Sequence, residues 1–295
     1  MLLLLTIVAL NCIITMISKK GVFSMDYSKF KELKRVVVKV GTSSLTYEAG
    51  KINIKKMERL VRVISDLRNR GVEVALVSSG AVGAGVGKLN LEEKPEDTRA
   101  KQALAAIGQA TLVAMYDRFF SEYGHNTAQV LLTKFILDEK ERYKNTKNTF
   151  ETMFEYGVIP IINENDVIST YELEFGDNDT LSAYIAELID AQLLIILSDI
   201  DGFYNDNPSI NPNAEIIPVI DKLDENIIAL AGGAGSRRGT GGMKTKLKAA
   251  SIVNAKGIDM IITNGATPER IYDIFEGKAV GTLFYSQKSE GEATK

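Results

Sequence analysis

The chain has 295 residues, of which 45% are hydrophobic and 25% are charged, with a formal net charge of −3. This balance excludes an intrinsically disordered chain, and no basic stripe suited to a phosphate backbone is present, so we expect no nucleic-acid partner. One cysteine, Cys12, and one histidine, His125, exclude an internal disulfide framework and a metal site built from several thiolates or imidazoles.

The chain begins with an apolar segment, residues 2–17, followed by Lys19 and Lys20. Its length approaches the roughly 20 residues of a membrane-spanning helix, and the lysines behind it would keep the rest of the chain in the cytosol. A secretory signal fits poorly, because the charges follow the apolar run. We favour the alternative that Met25 is the true start, that residues 1–24 are an extension, and that the protein is cytoplasmic with no membrane partner.

After Met25, short apolar runs rich in β-branched residues alternate with segments of helical periodicity. The pattern predicts strands over residues 36–40, 73–77, 129–132, 158–162, 193–197 and 259–262. It predicts helices over residues 54–67, 97–123, 139–156, 181–189, 243–255 and 267–275. This alternation indicates an α/β fold with a mainly parallel sheet covered on both faces, although it does not give the strand order.

Two clusters contain a lysine beside glycines. Lys39 lies near the end of the first predicted strand, in Lys-Val-Gly-Thr-Ser, where a buried ammonium group is costly unless it meets an anion. The alternative is an edge-strand lysine that reaches solvent. Residues 239–246, Gly-Thr-Gly-Gly-Met-Lys-Thr-Lys, place glycines directly before a predicted helix, an arrangement typical of an anion site, with a flexible loop as the alternative. We expect the two lysines to approach from opposite sides of the sheet.

A third cluster, residues 78–85 (Ser-Ser-Gly-Ala-Val-Gly-Ala-Gly), follows the second strand. Its small residues would allow the backbone to wrap closely around a ligand, and a plain turn is the alternative. The run has neither the spacing nor the lysine of a Walker A loop, and it does not match a dinucleotide-binding fingerprint.

The fourth cluster is rich in carboxylates and amides: Asn-Glu-Asn-Asp at residues 163–166 and Gly-Asp-Asn-Asp at residues 176–179. Such groups can hold an ammonium group or organise lysines and Mg²⁺. The alternative for the second segment is helix capping by Asp179 or Asn178. Lysines, glycine N–H groups and carboxylates at strand ends together favour phosphoryl transfer, which depends mainly on positioning and charge neutralisation.

These clusters occur in the order typical of the amino-acid kinase family, and the chain resembles that family over about residues 34–286. The resemblance is strongest to members that phosphorylate the γ-carboxylate of L-glutamate, the first step of proline biosynthesis. It implies a three-layer αβα sandwich over residues 25–288, with glutamate in an N-terminal lobe (about 25–172), ATP in a C-terminal lobe (about 173–288), and a tail at 289–295. Many bacterial members also carry a C-terminal PUA domain, and we expect this chain to be a form without one.

The resemblance also implies roles for individual residues. Lys39, Asp179 and Lys246 would be catalytic, and Ser79, Asp166 and Asn178 would bind glutamate. ATP would be held by Lys39, Ser198, Asp199, Thr240, Gly241, Gly242, Met243, Lys244, Thr245 and Lys246, with Mg²⁺ as cofactor and no dedicated protein metal site.

Further partners follow from the same resemblance: L-proline as feedback inhibitor, a second copy of the chain in a homo-oligomer, and glutamyl phosphate reductase as the next enzyme. Two alternatives stay open. One is another carboxylate or carbamate kinase of the same fold, and the other is a non-catalytic regulator that binds a nucleotide or an amino acid.

Overall fold

The computed structural model describes residues 26–47, 50–137, 139–169, 175, 177–232 and 242–286. The strands in this part are β1 (Arg35–Val40), β2 (Glu73–Ser78), β3 (Thr127–Leu132), β4 (Ile159–Glu164), β5 (Leu193–Ser198), β6 (Val219–Ile220), β7 (Asp259–Asn264) and β8 (Thr282–Phe284). The α-helices are α1 (Ile54–Asn69), α2 (Ala81–Leu89), α3 (Thr98–Glu122), α4 (Lys140–Glu155), α5 (Asn178–Leu188), α6 (Glu225–Gly232), α7 (Met243–Asn254) and α8 (Arg270–Phe275). Short 3₁₀ helices cover Tyr27–Glu32, Thr42–Ser44 and Lys134–Leu137.

The eight strands form one sheet in the order β3-β4-β2-β1-β5-β7-β8-β6. The first six strands in this order run parallel, whereas β8 pairs antiparallel with β7 and β6 pairs parallel with β8. The carboxyl ends of β1, β2, β4 and β5 therefore lie at one edge of the sheet, where ligands bind in open α/β folds.

Helices cover both faces of the sheet, which confirms the predicted three-layer αβα sandwich. Apolar side chains of α1, α3 and α8 pack on one face, and those of α4, α5 and α7 pack on the other. The valines of β1 contact both helix layers. Val36, Val38 and Val40 face the layer of α1, α3 and α8, while Val37 faces the layer of α4, α5 and α7. Because strand residues alternate with a period of two, Lys39 shares the face of Val37 and points toward α5 and α7.

The glycine- and alanine-rich run after β2 is a helix from Ala81 onward, contrary to its interpretation as a loop around a ligand or a turn. Helix α2 packs against α3 at very short range. A Cβ atom added at Gly85 would lie 2.1 Å from the carbonyl oxygen of Leu104, and one added at Gly108 would lie 1.8 Å from that of Ala81. The small residues are thus required by the contact between two helices.

Three further elements, β6, β8 and α6, were not predicted, and α5 begins three residues earlier than expected. No helix in the described ranges is both long and apolar enough to cross a membrane. The predicted extension at residues 1–24 and the tail at 289–295 lie outside the described residues.

Candidate functional site

The centre of the candidate site is Asp179, the second residue of α5, which is 1% exposed. Its Oδ1 atom lies 2.7 Å from Nζ of Lys39. Its Oδ2 atom accepts hydrogen bonds from Oγ1 of Thr245 at 2.8 Å and from Nζ of Lys246 at 3.2 Å. Side chains from β1, α5 and α7 therefore meet at one buried carboxylate.

The electrostatics of this cluster favour an ionised carboxylate. Burial alone would raise the pKa of Asp179, but the positive charges of Lys39 and Lys246 and the hydrogen bonds from Lys39 and Thr245 lower that pKa from 3.8 to about 2. Both lysines are themselves buried. One carboxylate serves two ammonium groups, so the three groups together carry a net positive charge at neutral pH.

Both lysines approach from the same face of the sheet, which corrects the expectation that they come from opposite sides. Lys39 points toward the α5–α7 layer, and Lys246 is in the first turn of α7.

The side chain that caps α5 is Asp177, whose carboxylate accepts from the backbone N–H of Thr180 at 2.7 Å. Asp179 and Asn178 are therefore not the N-cap, and Asp179 contacts lysines instead.

Asn178 and Ser79 lie together beside this cluster. The Nδ2 atom of Asn178 donates to Oγ of Ser79 at 2.8 Å and to Oδ1 of Asn163 at 2.9 Å. The Nδ2 atom of Asn163 donates in turn to Oε1 of Gln109 at 3.0 Å. Two of the three residues predicted to bind the substrate are thus directly hydrogen-bonded, and they belong to a longer chain of amides.

Asp166, the third residue predicted to bind the substrate, is half-buried in the turn that follows β4. The last residue of β4, Glu164, holds the surrounding loop, because its Oε1 atom accepts from Oγ of Ser169 at 3.1 Å and from the backbone N–H of Phe175 at 2.9 Å. Asp166 therefore lies at the same edge of the sheet as Asn163.

The residues predicted to bind ATP lie on the β5 and α7 side. Ser198 ends β5, and its hydroxyl donates to the carboxylate of exposed Asp199 at 3.1 Å. Gly242 precedes α7 and provides no side-chain cap, Met243 is half-buried, and Lys244 is exposed. Thr240 and Gly241 lie outside the described residues.

The described residues include no group of three or more His, Cys, Asp or Glu side chains that could hold a metal ion.

Sequence reasoning missed Gln109, and it gave Asn163 no role of its own. Gln109 occupies the buried stripe of α3 together with Leu104, Ala105, Gly108 and Leu112. A polar residue at a helical spacing that is otherwise filled by small and apolar residues is the signal that could have identified it. Thr245 was predicted to bind ATP, but its direct bond to Asp179 was not anticipated.

Comparison with known proteins supports a family assignment. The profile described as "Amino acid kinase family" matches residues 34–264. The chain is 53% identical over 264 residues to a protein named glutamate 5-kinase from Clostridium perfringens (strain 13 / Type A), covering 88% of this chain and 98% of that protein. It is also 52% identical to a glutamate 5-kinase from Thermoanaerobacter sp. (strain X514), covering 86% of this chain and 68% of the relative.

Solved structures support the fold alone. Carbamate kinase from Giardia lamblia bound to AMP-PNP superposes with a TM-score of 0.61 at 20% identity, covering 87% of this chain and 100% of that chain. UMP kinase from Bacillus anthracis gives a TM-score of 0.61 at 15% identity, covering 87% and 97%.

Proposed function

This chain belongs to the amino acid kinase family, and we propose that it transfers the γ-phosphoryl group of ATP to the γ-carboxylate of L-glutamate. The products are L-glutamyl 5-phosphate and ADP. The observation that carries the proposal is the buried cluster of Lys39, Asp179 and Lys246 at the carboxyl edge of the sheet. The relatives of about 50% identity that are named glutamate 5-kinase support the choice of acceptor.

The chemistry needs little proton transfer. The γ-carboxylate of glutamate, with an ordinary pKa of about 4.3, is already ionised at neutral pH. One of its oxygens attacks the γ-phosphorus, a new O–P bond forms, and the bond to the bridging oxygen breaks as ADP leaves. The main barrier is repulsion between two anions, and fixed positive charge in a water-poor site lowers it.

In this proposal Lys39 and Lys246 contact the transferring phosphoryl group and neutralise its charge. Asp179 holds the two ammonium groups in place, so that they need not reorganise during the reaction. Magnesium, when it is bound with ATP, supplies further neutralisation of the phosphate charges.

Glutamate binds on the β2 and β4 side of this cluster, at Ser79, Asp166 and Asn178. The Asp166 carboxylate pairs with the α-ammonium group, and Ser79 and Asn178 supply hydrogen bonds. The proposal accordingly takes residues 25–172 as the glutamate lobe.

ATP binds on the other side, within residues 173–288, at Ser198, Asp199 and the segment 240–246. The backbone N–H groups at the start of α7, where no side chain caps the helix, suit phosphate oxygens.

The same proposal places the enzyme at the first step of proline biosynthesis. L-Proline then inhibits by competing near the glutamate site, the chain forms a homo-oligomer, and glutamyl phosphate reductase consumes the labile acyl phosphate. A proline titration checks the inhibition, which would be refuted by an activity that stays flat into the high millimolar range.

A coupled ADP-release assay tests the proposed reaction with Mg-ATP and four acceptors: glutamate, aspartate, N-acetylglutamate and carbamate. We expect turnover with glutamate and far less with the others. Equal turnover of aspartate would contradict the assignment and favour another kinase of the same fold. ATP binding without turnover of any acceptor would favour a regulator.

The same assay includes a matched pair of lysine variants. Lys246→Ala should lose most of the activity, because it removes one of the two buried ammonium groups. Lys248→Ala, two residues further along α7 and exposed, serves as the control and should keep full activity.

A further inference from the structure

Gln109 is a buried polar residue in an apolar setting. It is 7% exposed on the stripe of α3 that packs into the fold. Its Oε1 atom accepts from Asn163, but its Nε2 atom, also buried, has no hydrogen-bond partner among the described residues. An unpaired buried amide donor costs free energy, so packing alone does not explain a glutamine at this position.

Hydrogen bonds link Gln109 to Ser79 through Asn163 and Asn178, and each bond fixes which group of the next amide donates and which accepts. Because Oε1 of Gln109 accepts from Nδ2 of Asn163, the Oδ1 atom of Asn163 is turned toward Asn178. Asn178 therefore presents its Nδ2 atom, whose two hydrogens go to Asn163 and to Oγ of Ser79.

The last member of the chain is a hydroxyl that already accepts. Since Ser79 uses its oxygen to accept from Asn178, its own hydrogen is available for a carboxylate. Asn178 likewise keeps its Oδ1 atom as an acceptor for an ammonium group. The order of donors and acceptors that begins at Gln109 thus determines that Ser79 can donate, and Asn178 can accept, a hydrogen bond at the proposed glutamate site.

We propose that Gln109 is a positioning residue for the acceptor substrate, which acts through Asn163 to fix the amide orientation of Asn178. The inference rests on the proposed function, since it assumes that Asn178 and Ser79 contact glutamate. Gln109 itself does not touch the substrate. Its contribution is the acceptor oxygen, and the unpaired Nε2 atom is the cost of having an amide there.

Two variants of nearly equal size separate this role from simple packing. Gln109→Met fills the same space without an acceptor, whereas Gln109→Glu keeps an acceptor oxygen in either protonation state. We expect Gln109→Met to raise the KM for glutamate about five- to tenfold, the effect of losing one neutral hydrogen bond, with the KM for ATP and kcat near wild type. Gln109→Glu should stay close to wild type in all three constants.

Melting temperatures are measured in parallel; Gln109→Met should unfold close to the wild-type temperature, whereas Gln109→Glu, which places a carboxyl group at a buried position, should unfold at a lower temperature. If Gln109→Met leaves the KM for glutamate unchanged, or if both variants raise it equally, Gln109 does not act through its acceptor oxygen. Gln109→Leu is a second acceptor-free variant of different shape. Failure of both the Met and the Leu variant to fold would make Gln109 a structural residue and overturn the proposal.

A double-mutant cycle tests the route. In an Asn163→Ala background, Gln109→Met should raise the KM no further, because the partner through which it acts is gone. Simply additive effects would refute the route through Asn163. Wild-type turnover of glutamate tests the proposed function separately, so an active wild type with unaffected Gln109 variants would refute the positioning role alone.

Discussion

Replacing Asp179 with asparagine keeps the size of the side chain and removes one charge. In the wild type, that charge lies 2.7 Å from Nζ of Lys39 and 3.2 Å from Nζ of Lys246. The variant keeps an oxygen that can accept one hydrogen bond, but its amide cannot neutralise two buried ammonium groups. We therefore expect effects on both catalysis and stability, each with its own magnitude.

The kinetic effect follows from the loss of one preorganised electrostatic element, which typically lowers kcat by a factor of about 10² to 10³. The stability effect follows from the pKa, which is lowered from 3.8 to about 2, a difference worth roughly 2 kcal/mol. Because the folded-state pKa is the lower one, this stabilisation is present above about pH 4 and is lost as the pH falls toward 2. Asp179→Asn should remove this part of the acid sensitivity.

ATP should stabilise the Asp179→Asn variant more than it stabilises the wild type. Its phosphates bring negative charge to two lysines that have lost their carboxylate, so the melting temperature of Asp179→Asn should rise more on ATP addition than that of the wild type. Thermal unfolding with and without Mg-ATP measures the difference. The control is Asp190→Asn, an exposed residue just beyond the other end of α5, which should leave kcat unchanged.

The reasoning would be refuted by a variant that loses stability but keeps kcat within a few-fold of wild type, since Asp179 would then be structural. The same role for Asp179 predicts that its effect on kcat depends on Lys246. Asp179→Asn and Lys246→Ala should each lower kcat, but the double variant should fall little further, because the two residues act as one unit. Losses that multiply would show that Asp179 does not act through this lysine.

Three other predictions concern different parts of the chain. Asp166→Asn should raise the KM for glutamate with kcat nearly unchanged, because its proposed contact to the ammonium group would be equally present in the ground and transition states; a fall in kcat alone would contradict this. Gly108→Ala should destabilise the fold by about 1–3 kcal/mol in urea unfolding, because its Cβ would lie 1.8 Å from the Ala81 carbonyl oxygen, and an unchanged midpoint would disprove the close contact. A chain that begins at Met25 should be soluble and fully active, whereas an inactive or misfolded product would assign a structural role to residues 1–24.

The strands were predictable because their composition leaves little choice. In β1, four valines within five residues favour a strand buried on both faces, and the helical spacing of Met57, Leu60, Val61 and Ile64 favours α1. Both signals are local. The antiparallel pairing of β7 with β8 was not predictable, because it depends on which strand edge is free after the sheet has formed.

Helix α2 was missed for a related reason. Glycine disfavours helix by about 1 kcal/mol per residue, so a run with Gly83, Gly85 and Gly87 reads as a loop when taken alone. The close contact with α3 outweighs that preference, and only small residues permit it. Local propensity could not have shown this, since the partner helix lies about 20 residues further along the chain.

Within the site, the residues to which the family resemblance assigns a role were easier to identify than the amides Gln109 and Asn163. Lys39 stood out because a lysine in a predicted buried strand needs an anion, whereas the roles of Asp179 and Lys246 followed from the family resemblance. The bond between Gln109 and Asn163 joins residues 54 positions apart, and neither residue type signals the other. The three-dimensional fold was needed to bring them together.

The residues around Asp179 come from widely separated parts of the chain, since Lys39 belongs to β1 and Lys246 to α7. During synthesis, the strand that carries Lys39 leaves the ribosome first, and Lys246 follows only after about five-sixths of the residues have been joined. A nascent or prematurely terminated chain that ends before Met243 cannot assemble the charged cluster, even if its first four strands have folded. Under the proposed function, such a fragment would lack Lys246 and therefore one of the two positive charges that neutralise the transferring phosphoryl group.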